Sequence, residues 1–188
     1  MPTHVALLRG INVGGRNRVA MAALRSVVTS LAHTDVATYI QSGNVVFTSP
    51  ESDTTAIAAA LERAIAESLS VRPRVVVLSC DELSQVIAAN PYPDETNHKC
   101  LHVVFTSEQI EPDQLATIAA AAQRAADKGS RDEATVFGRI LFLHTPDGLG
   151  RSELAAQLAR AGGPLAATGS ATVRNWATVT KLLAMCRA

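Results

Sequence analysis

The chain has 188 residues, of which 47% are hydrophobic, so it is long enough to bury a core in one domain or in two small ones. Seventeen basic residues balance seventeen acidic ones, which excludes an overall attraction to nucleic acid or an anionic membrane and restricts any polyanion site to a local patch. Its apolar runs fall far short of the ~20 residues that a membrane span requires.

Three cysteines, Cys80, Cys100 and Cys186, are far apart in the sequence and form no C-x-x-C pair. An odd, isolated set of cysteines is typical of proteins in a reducing compartment and does not indicate a disulfide framework. The N-terminus also lacks the basic segment of a signal peptide. These features predict a cytoplasmic protein with unpaired cysteines and no membrane contact.

The first part of the chain predicts a strand, a helix, two strands, a helix and a strand, over residues 4–8, 20–32, 36–41, 44–48, 51–69 and 74–78. Ser42 and Gly43 separate the two adjacent strands, and glycine supplies the positive φ that a tight hairpin needs. Ile57, Leu61 and Ile65 recur every four residues and indicate one apolar helix face. This βαββαβ order is that of a ferredoxin-like unit.

The remaining sequence repeats this order after a linking helix, which begins at a capping box of Ser79 and Glu82. The repeated elements are a strand, a helix, a two-stranded hairpin and a helix, predicted over residues 101–105, 112–126, 134–137 with 140–144, and 151–160. Residues 162–164, Gly-Gly-Pro, would stop that last helix. In place of a sixth element we predict a weak stretch over 165–171, and then a helix over 173–187 capped by Thr172.

We therefore predict an α+β protein, a tandem duplication of ferredoxin-like βαββαβ subdomains with mainly antiparallel sheets. The predicted N-terminal subdomain covers residues 1–80, and the C-terminal subdomain covers residues 81–188 and ends in a helix. A single doubly wound α/β sheet is the competing architecture.

The segment between the first strand and the first helix carries the clearest candidate site. Glycines allow a ligand to approach the backbone closely, and the start of the following helix offers unpaired N–H groups. Arg16 and Asn17 stand where a P-loop needs Lys and then Ser or Thr, so nucleotide hydrolysis is not indicated. A simpler anion-binding turn remains, or a turn that only connects two elements. Its candidate ligand-binding residues are Arg9, Asn12, Gly14, Gly15, Arg16 and Arg18.

A second cluster lies near the C-terminus. On the predicted helix, Arg174 and Asn175 fall in the first turn, where amide donors and a guanidinium can hold an oxyanion. Lys181 follows on the same face as Arg174. Trp176 is expected to be a core anchor. The alternative is that Arg174 and Asn175 serve only as a structural hydrogen-bonding clamp.

Other residue patterns do not indicate a cofactor or catalytic chemistry. His98, Cys100 and His102 alternate along a strand, but a structural zinc site needs a fourth ligand, so we expect no metal and no cofactor. Ser42 lacks a nucleophile elbow, and Cys80 and Cys186 have no neighbouring histidine. The acidic pairs fall at helix starts or in loops, where capping and solvation explain them.

Three segments together resemble the bacterial family called domain of unknown function 1697: ALLRGINVGG (residues 6–15), TYIQSGNVVF (38–47) and TVRNWATVTKL (172–182). The third segment departs from the family pattern at Val173, where alanine is frequent, and at Ala177, where asparagine is frequent. The resemblance implies paired ferredoxin-like subdomains and no established activity.

We expect a cytoplasmic protein that binds a phosphate- or carboxylate-bearing ligand, such as a nucleotide, a phosphometabolite or RNA, at residues 10–18 and at the Arg174-Asn175 helix start. One alternative is a protein-interaction module, for example a homodimer, in which the glycine turn only shapes the surface. Another is an enzyme acting on a phosphorylated metabolite, with His4 or His102 as proton carriers.

Overall fold

The structure is a computed structural model, and it describes residues 1–160 and 170–188. Within these ranges the strands form two four-stranded sheets, and every pairing is antiparallel. The predicted tandem α+β architecture is confirmed, and the competing single doubly wound sheet is wrong because such a sheet would be mostly parallel. The predicted stop at residues 162–164 and most of the predicted weak stretch lie outside the described residues.

The first sheet follows the predicted βαββαβ order and has the strand order β2-β3-β1-β4. Its elements are β1 (His4–Arg9), α1 (Met21–Ser30), β2 (Thr34–Tyr39), β3 (Asn44–Thr48), α2 (Thr54–Leu69) and β4 (Arg74–Ser79). The helices cover one face, where Leu8, Phe47 and Leu61 belong to one buried cluster. The Asp53 side chain caps α2 by accepting hydrogen bonds from the Thr55 and Ala56 amides.

The second sheet has the equivalent order β6-β7-β5-β8. Its elements, with the linking helix first, are α3 (Cys80–Ala88), β5 (Leu101–Thr106), α4 (Pro112–Asp127), β6 (Glu133–Phe137), β7 (Ile140–His144), a 3₁₀ turn (Leu149–Arg151), α5 (Glu153–Ala159), β8 (Ala171–Asn175) and α6 (Trp176–Cys186). The predicted capping box is present at α3, since Ser79 N donates to Glu82 Oε2 and Glu82 N donates to Ser79 Oγ.

The C-terminal part of the chain corrects the prediction. Residues from Ala171 onward form the missing sixth element, β8, and the helix begins only at Trp176. Thr172 is therefore a strand residue opposite Phe105, and Asn175 caps α6 by accepting a hydrogen bond from the Thr178 amide at 2.9 Å. The β-branched Thr172 and Val173 favour a strand. Pairing with β5 also gives the backbone N–H and C=O groups of this segment hydrogen-bond partners within the sheet, which they would not have if the helix began earlier.

Contacts group the chain into two compact units, Met1–Gln85 with Thr180–Ala188, and Val86–Val179. The end of α6 therefore belongs with the first sheet, whereas the sequence-based division assigns it to the second subdomain. Among the described residues, the helices are all too short or too polar to cross a lipid bilayer.

Two of the three cysteines are paired, contrary to the prediction. Cys80, at the start of α3, forms a disulfide with Cys186, at the end of α6, and their Cα atoms lie 6.0 Å apart. Cys100 is free and buried. The pairing was missed because 106 positions separate the two residues, and only the return of α6 to the first unit brings them together.

Candidate functional site

The glycine-rich segment after β1 folds into a small hairpin, residues 12–17. Gly14 and Gly15 both have positive φ, at 57° and 76°, as a two-residue turn of this kind requires. The Arg16 amide donates to the Val13 carbonyl and the Asn12 amide donates to the Asn17 carbonyl, both at 3.0 Å. The shape of the turn therefore accounts for both glycines, and their exposed backbone forms the tip of the hairpin.

Two asparagine side chains fix the base of this hairpin. Asn12 Nδ2 donates to the Val19 and Gln41 carbonyls, both at 2.9 Å, and Asn12 Oδ1 accepts from the Val19 amide at 2.8 Å. Asn17 Nδ2 donates to the Gly10 carbonyl at 2.8 Å. Asn12 therefore acts as a brace for the backbone, because both of its amide hydrogens are used within the protein.

The three arginines on and beside the hairpin are exposed. Arg9 ends β1, and Arg16 and Arg18 flank Asn17. Across residues 1–160 and 170–188, none of the three has an ion-pair partner. The helix that follows, α1, begins at Met21 with Ala20 as its N-cap, so a side chain does not occupy its first amides. This end of the sheet presents positive charge on a braced backbone.

The C-terminal cluster has a different geometry from the one predicted. Arg174 lies on β8 opposite Val103, is only 9% exposed, and donates from Nη1 to Thr172 Oγ1 at 2.7 Å and to the Val173 carbonyl at 2.8 Å. Burial lowers the pKa of Arg174 to about 10, so the side chain stays charged at neutral pH.

Asn175 and Lys181 also differ from the prediction. The Asn175 side chain is used to cap α6, and Lys181 is an exposed residue of that helix. The predicted helix face shared by Arg174 and Lys181 does not exist, because Arg174 precedes the helix and sits on a strand. Arg174 and Asn175 belong to the unit that spans 86–179, while Lys181 and the hairpin belong to the other unit.

Neither histidine suggested as a proton carrier is open to solvent. His4 and His102 are 6% and 8% exposed, and burial lowers the pKa of both. Cys100, between His98 and His102, is buried, and burial raises the pKa of its thiol. Among the described residues, histidine, cysteine and carboxylate side chains form no group of three that could hold a metal ion.

A histidine–carboxylate pair in the second unit was not predicted. His144 Nε2 lies 2.8 Å from Glu95 Oε2, and the Tyr92 ring stacks on the imidazole with centroids 4.9 Å apart. The hydrogen bond to His144 lowers the pKa of Glu95. His144 Nδ1 is buried and has no partner within the described ranges, while the Nε2 contact joins Glu95 to the end of β7. Their sequence separation of 49 gives no local signal.

A second arginine cluster also escaped the sequence reasoning. An open cavity between α2 and the segment leading into β4 is lined by three arginines, one glutamate and three small or apolar residues: Arg63, Arg72, Arg74, Glu62, Ala59, Ala66 and Pro73. The sequence gives no local signal for this cluster, because Arg63 lies on a helix and Arg72 in a loop, and only the fold brings them to one cavity.

Comparisons with known proteins give a family and a fold. The family described as "Protein of unknown function (DUF1697)" matches residues 1–142. The chain is similar to the solved structure of the conserved bacterial protein SP0830 from Streptococcus pneumoniae, with 25% identity, a TM-score of 0.72 and 98% of each chain covered. No curated protein matches the chain. Because the family match extends over more than half of the sequence, the chain belongs to the DUF1697 family of proteins of unknown function.

Proposed function

We propose that this protein binds a phosphate-bearing ligand through the hairpin of residues 12–17 and the arginines beside it. The observation that carries the proposal is that Arg9, Arg16 and Arg18 are exposed and lack ion-pair partners among the described residues. Three unneutralised guanidinium groups on one short segment make a local positive field in a protein whose net charge is zero.

Phosphate suits this surface better than an isolated carboxylate. Guanidinium groups form paired, parallel hydrogen bonds with phosphate oxygens, and three of them match a group with several charged oxygens. The brace formed by Asn12 supports the proposal too, since a fixed backbone lowers the entropy lost when a ligand binds. A nucleotide, a phosphometabolite and RNA all carry the required group.

Arg174 and Asn175 enter this proposal only as structural residues. Burial and the hydrogen bonds to Thr172 and Val173 give Arg174 a role in β8, and Asn175 caps α6. The proposed ligand is therefore held by the first unit, and a cytoplasmic location, where phosphorylated metabolites are abundant, belongs to the same proposal.

The test is thermal unfolding with inorganic pyrophosphate as the probe. A ligand present at 100 times its Kd stabilises the native state by about 2.7 kcal/mol, so pyrophosphate should raise Tm. The R16A/R18A variant should lose this shift. The matched control is R151A/R160A, which removes two exposed arginines from the second unit and should keep it. A normal shift in R16A/R18A would contradict the proposed site.

Self-association is a second candidate function, favoured by two exposed aliphatic residues, one within the hairpin and one in the neighbouring loop. Val13 is 66% exposed and Ile40 is 51% exposed, and the Asn12 bond to the Gln41 carbonyl joins their two loops. Sedimentation across a concentration series would test it. A dimer that V13S/I40S abolishes supports this candidate, and a monomer at every concentration contradicts it.

A further inference from the structure

We infer that the ligand is a chain of linked phosphates, and that the cavity lined by Arg63, Arg72 and Arg74 is its second point of attachment. This inference rests on the proposed function, because the hairpin arginines are the first point of attachment. The two sources of such a chain are a nucleic-acid backbone and inorganic polyphosphate, which present the same repeated anionic oxygens.

The sheet register connects the hairpin with the cavity. Arg9, the last residue of β1, is the direct partner of Arg74, the first residue of β4. Side chains of directly opposed residues in an antiparallel pair lie on the same side, with Cβ atoms about 4.5–5.5 Å apart. Two like charges in this position repel each other, and an anion placed between them removes that repulsion. Arg9 thus adds positive charge beside Arg74, whose guanidinium also pairs with Glu62.

The cavity keeps a surplus of positive charge after its internal pairing. Glu62 Oε2 lies 3.5 Å from Arg74 Nη1, and Glu62 Oε1 accepts the Val75 amide at 2.8 Å. Both oxygens of the one carboxylate in the lining are therefore engaged. Arg63 and Arg72 are exposed and have no ion-pair partner within residues 1–160 and 170–188.

The backbone around Arg72 keeps this arrangement in place. Val71 and Pro73 are buried, while Arg72 and Arg74 are exposed, so alternate residues anchor the segment and present charge. On α2, Ala59, Arg63 and Ala66 share a face by helical spacing. The small alanines leave room for a bulky anion between the helix and the segment.

The chemistry of the surface indicates recognition of phosphates rather than of bases. Among the described residues that line the cavity none is aromatic, and the hairpin contains no aromatic residue. Proteins that contact the bases of a single strand, with or without sequence preference, stack those bases on aromatic side chains. Arginines distributed over a hairpin, a strand end and a cavity suit an extended chain of charges with any sequence.

The experiment compares one short and two long probes on the full chain. Pyrophosphate can occupy only one point of attachment at a time, whereas inorganic polyphosphate and an oligouridylate of about 12 nucleotides, within the ~4–16-nucleotide span of single-strand sites, can reach both points. The variants are R63A/R72A for the cavity, R16A/R18A for the hairpin and R151A/R160A as the control for charge. Thermal unfolding without a probe verifies that each variant is folded, which is expected because all six arginines are exposed.

We expect R63A/R72A to keep the pyrophosphate shift and to bind a long probe about tenfold more weakly. The slope of log K against log salt for oligouridylate should fall by about 1.4, since a single strand contributes about 0.7 per lost phosphate contact. The probe that shows the loss identifies the source of the chain. Unchanged affinity of R63A/R72A for both long probes would overturn the inference, and if R16A/R18A still loses the pyrophosphate shift, the proposed function survives. A normal pyrophosphate shift in R16A/R18A would instead overturn the proposed function.

Discussion

The two units share one strand order, yet the glycine in the turn between two neighbouring strands has different surroundings in each sheet. Gly43, between β2 and β3, has a φ of 76°, and a Cβ there would lie 2.7 Å from Leu8 Cβ and 2.9 Å from Ile11 Cδ1. Gly138, between β6 and β7, has a φ of 60°, and its Cβ would meet only the Gln109 side chain at 3.4 Å. The same topology therefore imposes different packing demands at equivalent turns.

The histidines show the same contrast. In the first unit, His33 is buried against the Phe47 ring, and both of its ring nitrogens lack partners among the described residues. In the second unit, His144 is held by Glu95. The two units share a fold but differ in their polar contacts, so a functional residue of one unit need not have a counterpart in the other.

The largest expected effect concerns the disulfide, which fastens the first unit. With a sequence separation of 106 between Cys80 and Cys186, its loss should destabilise the protein by about 4.7 kcal/mol in the chain-entropy account. Urea unfolding of C186S should show this decrease, while C100S, which alters the free cysteine of the second unit, serves as the control. If alkylation of the unreduced protein labels three thiols, the pairing is contradicted.

Substitution of the turn glycines Gly43 and Gly138 gives the next largest difference in stability. Gly43→Ala would strain the backbone and bring the new Cβ too close to Leu8 Cβ, an atom that cannot shift without moving the backbone. We therefore expect the free energy of unfolding to fall by about 3 kcal/mol. Gly138→Ala should lose only about 1 kcal/mol, because its nearest neighbour is a flexible side chain. Urea unfolding of both variants measures the difference. Equal losses would mean that the packing around Gly43 yields without penalty.

Arg174 and the hairpin arginines provide a comparison of buried and exposed guanidinium groups. Arg174→Ala removes a buried guanidinium together with its hydrogen bonds to Thr172 Oγ1 and the Val173 carbonyl, so it should cost about 2 kcal/mol. Arg16→Ala should change the free energy of unfolding by less than about 0.5 kcal/mol. Urea unfolding of both variants measures the two losses. A larger loss in Arg16→Ala than in Arg174→Ala would contradict the assignment of Arg174 as the structural residue.

The smallest expected effect is a pH dependence from the first unit. Burial lowers the pKa of His33 below its ordinary value of 6.5, and nearby His4 lowers it further. On acidification the unfolded chain therefore binds its proton first, and stability declines as the pH falls from about 6.5 to the folded pKa. Tm measured between about pH 7.5 and 5.5 should fall less steeply in His33→Phe than in the wild type. An unchanged slope would show that His33 does not contribute.

Local patterns allowed much of the fold to be predicted. The capping box of Ser79 and Glu82 and the apolar face of α2 each depend on residues within a few positions, and both are confirmed. The hairpin predicted at Ser42-Gly43 is present, but Tyr39 pairs with Asn44, so its loop has four residues, 40–43, and the preceding strand ends earlier than predicted. Strand β8 was missed because Ala171–Asn175 is short and runs directly into a helix, so its identity depends on pairing with β5.

The candidate site was predicted in part for the same reason. Residues 10–18 are contiguous, and their glycines and arginines mark an exposed, positively charged turn in the sequence itself. The role of Asn12 depends on Val19 and Gln41, and the cavity arginines come from separate elements, so both required the tertiary structure. Whether phosphate binds at the turn stays a prediction.

The three hydrogen bonds of Asn12 have a consequence for the thermodynamics of recognition. A turn whose shape is already set in the free protein does not have to fold around its ligand, so association should be rapid and should show a small change in heat capacity. Calorimetry of the ligand-binding reaction would then report mainly the exchange of water and counterions around the guanidinium groups, with little contribution from ordering of the chain.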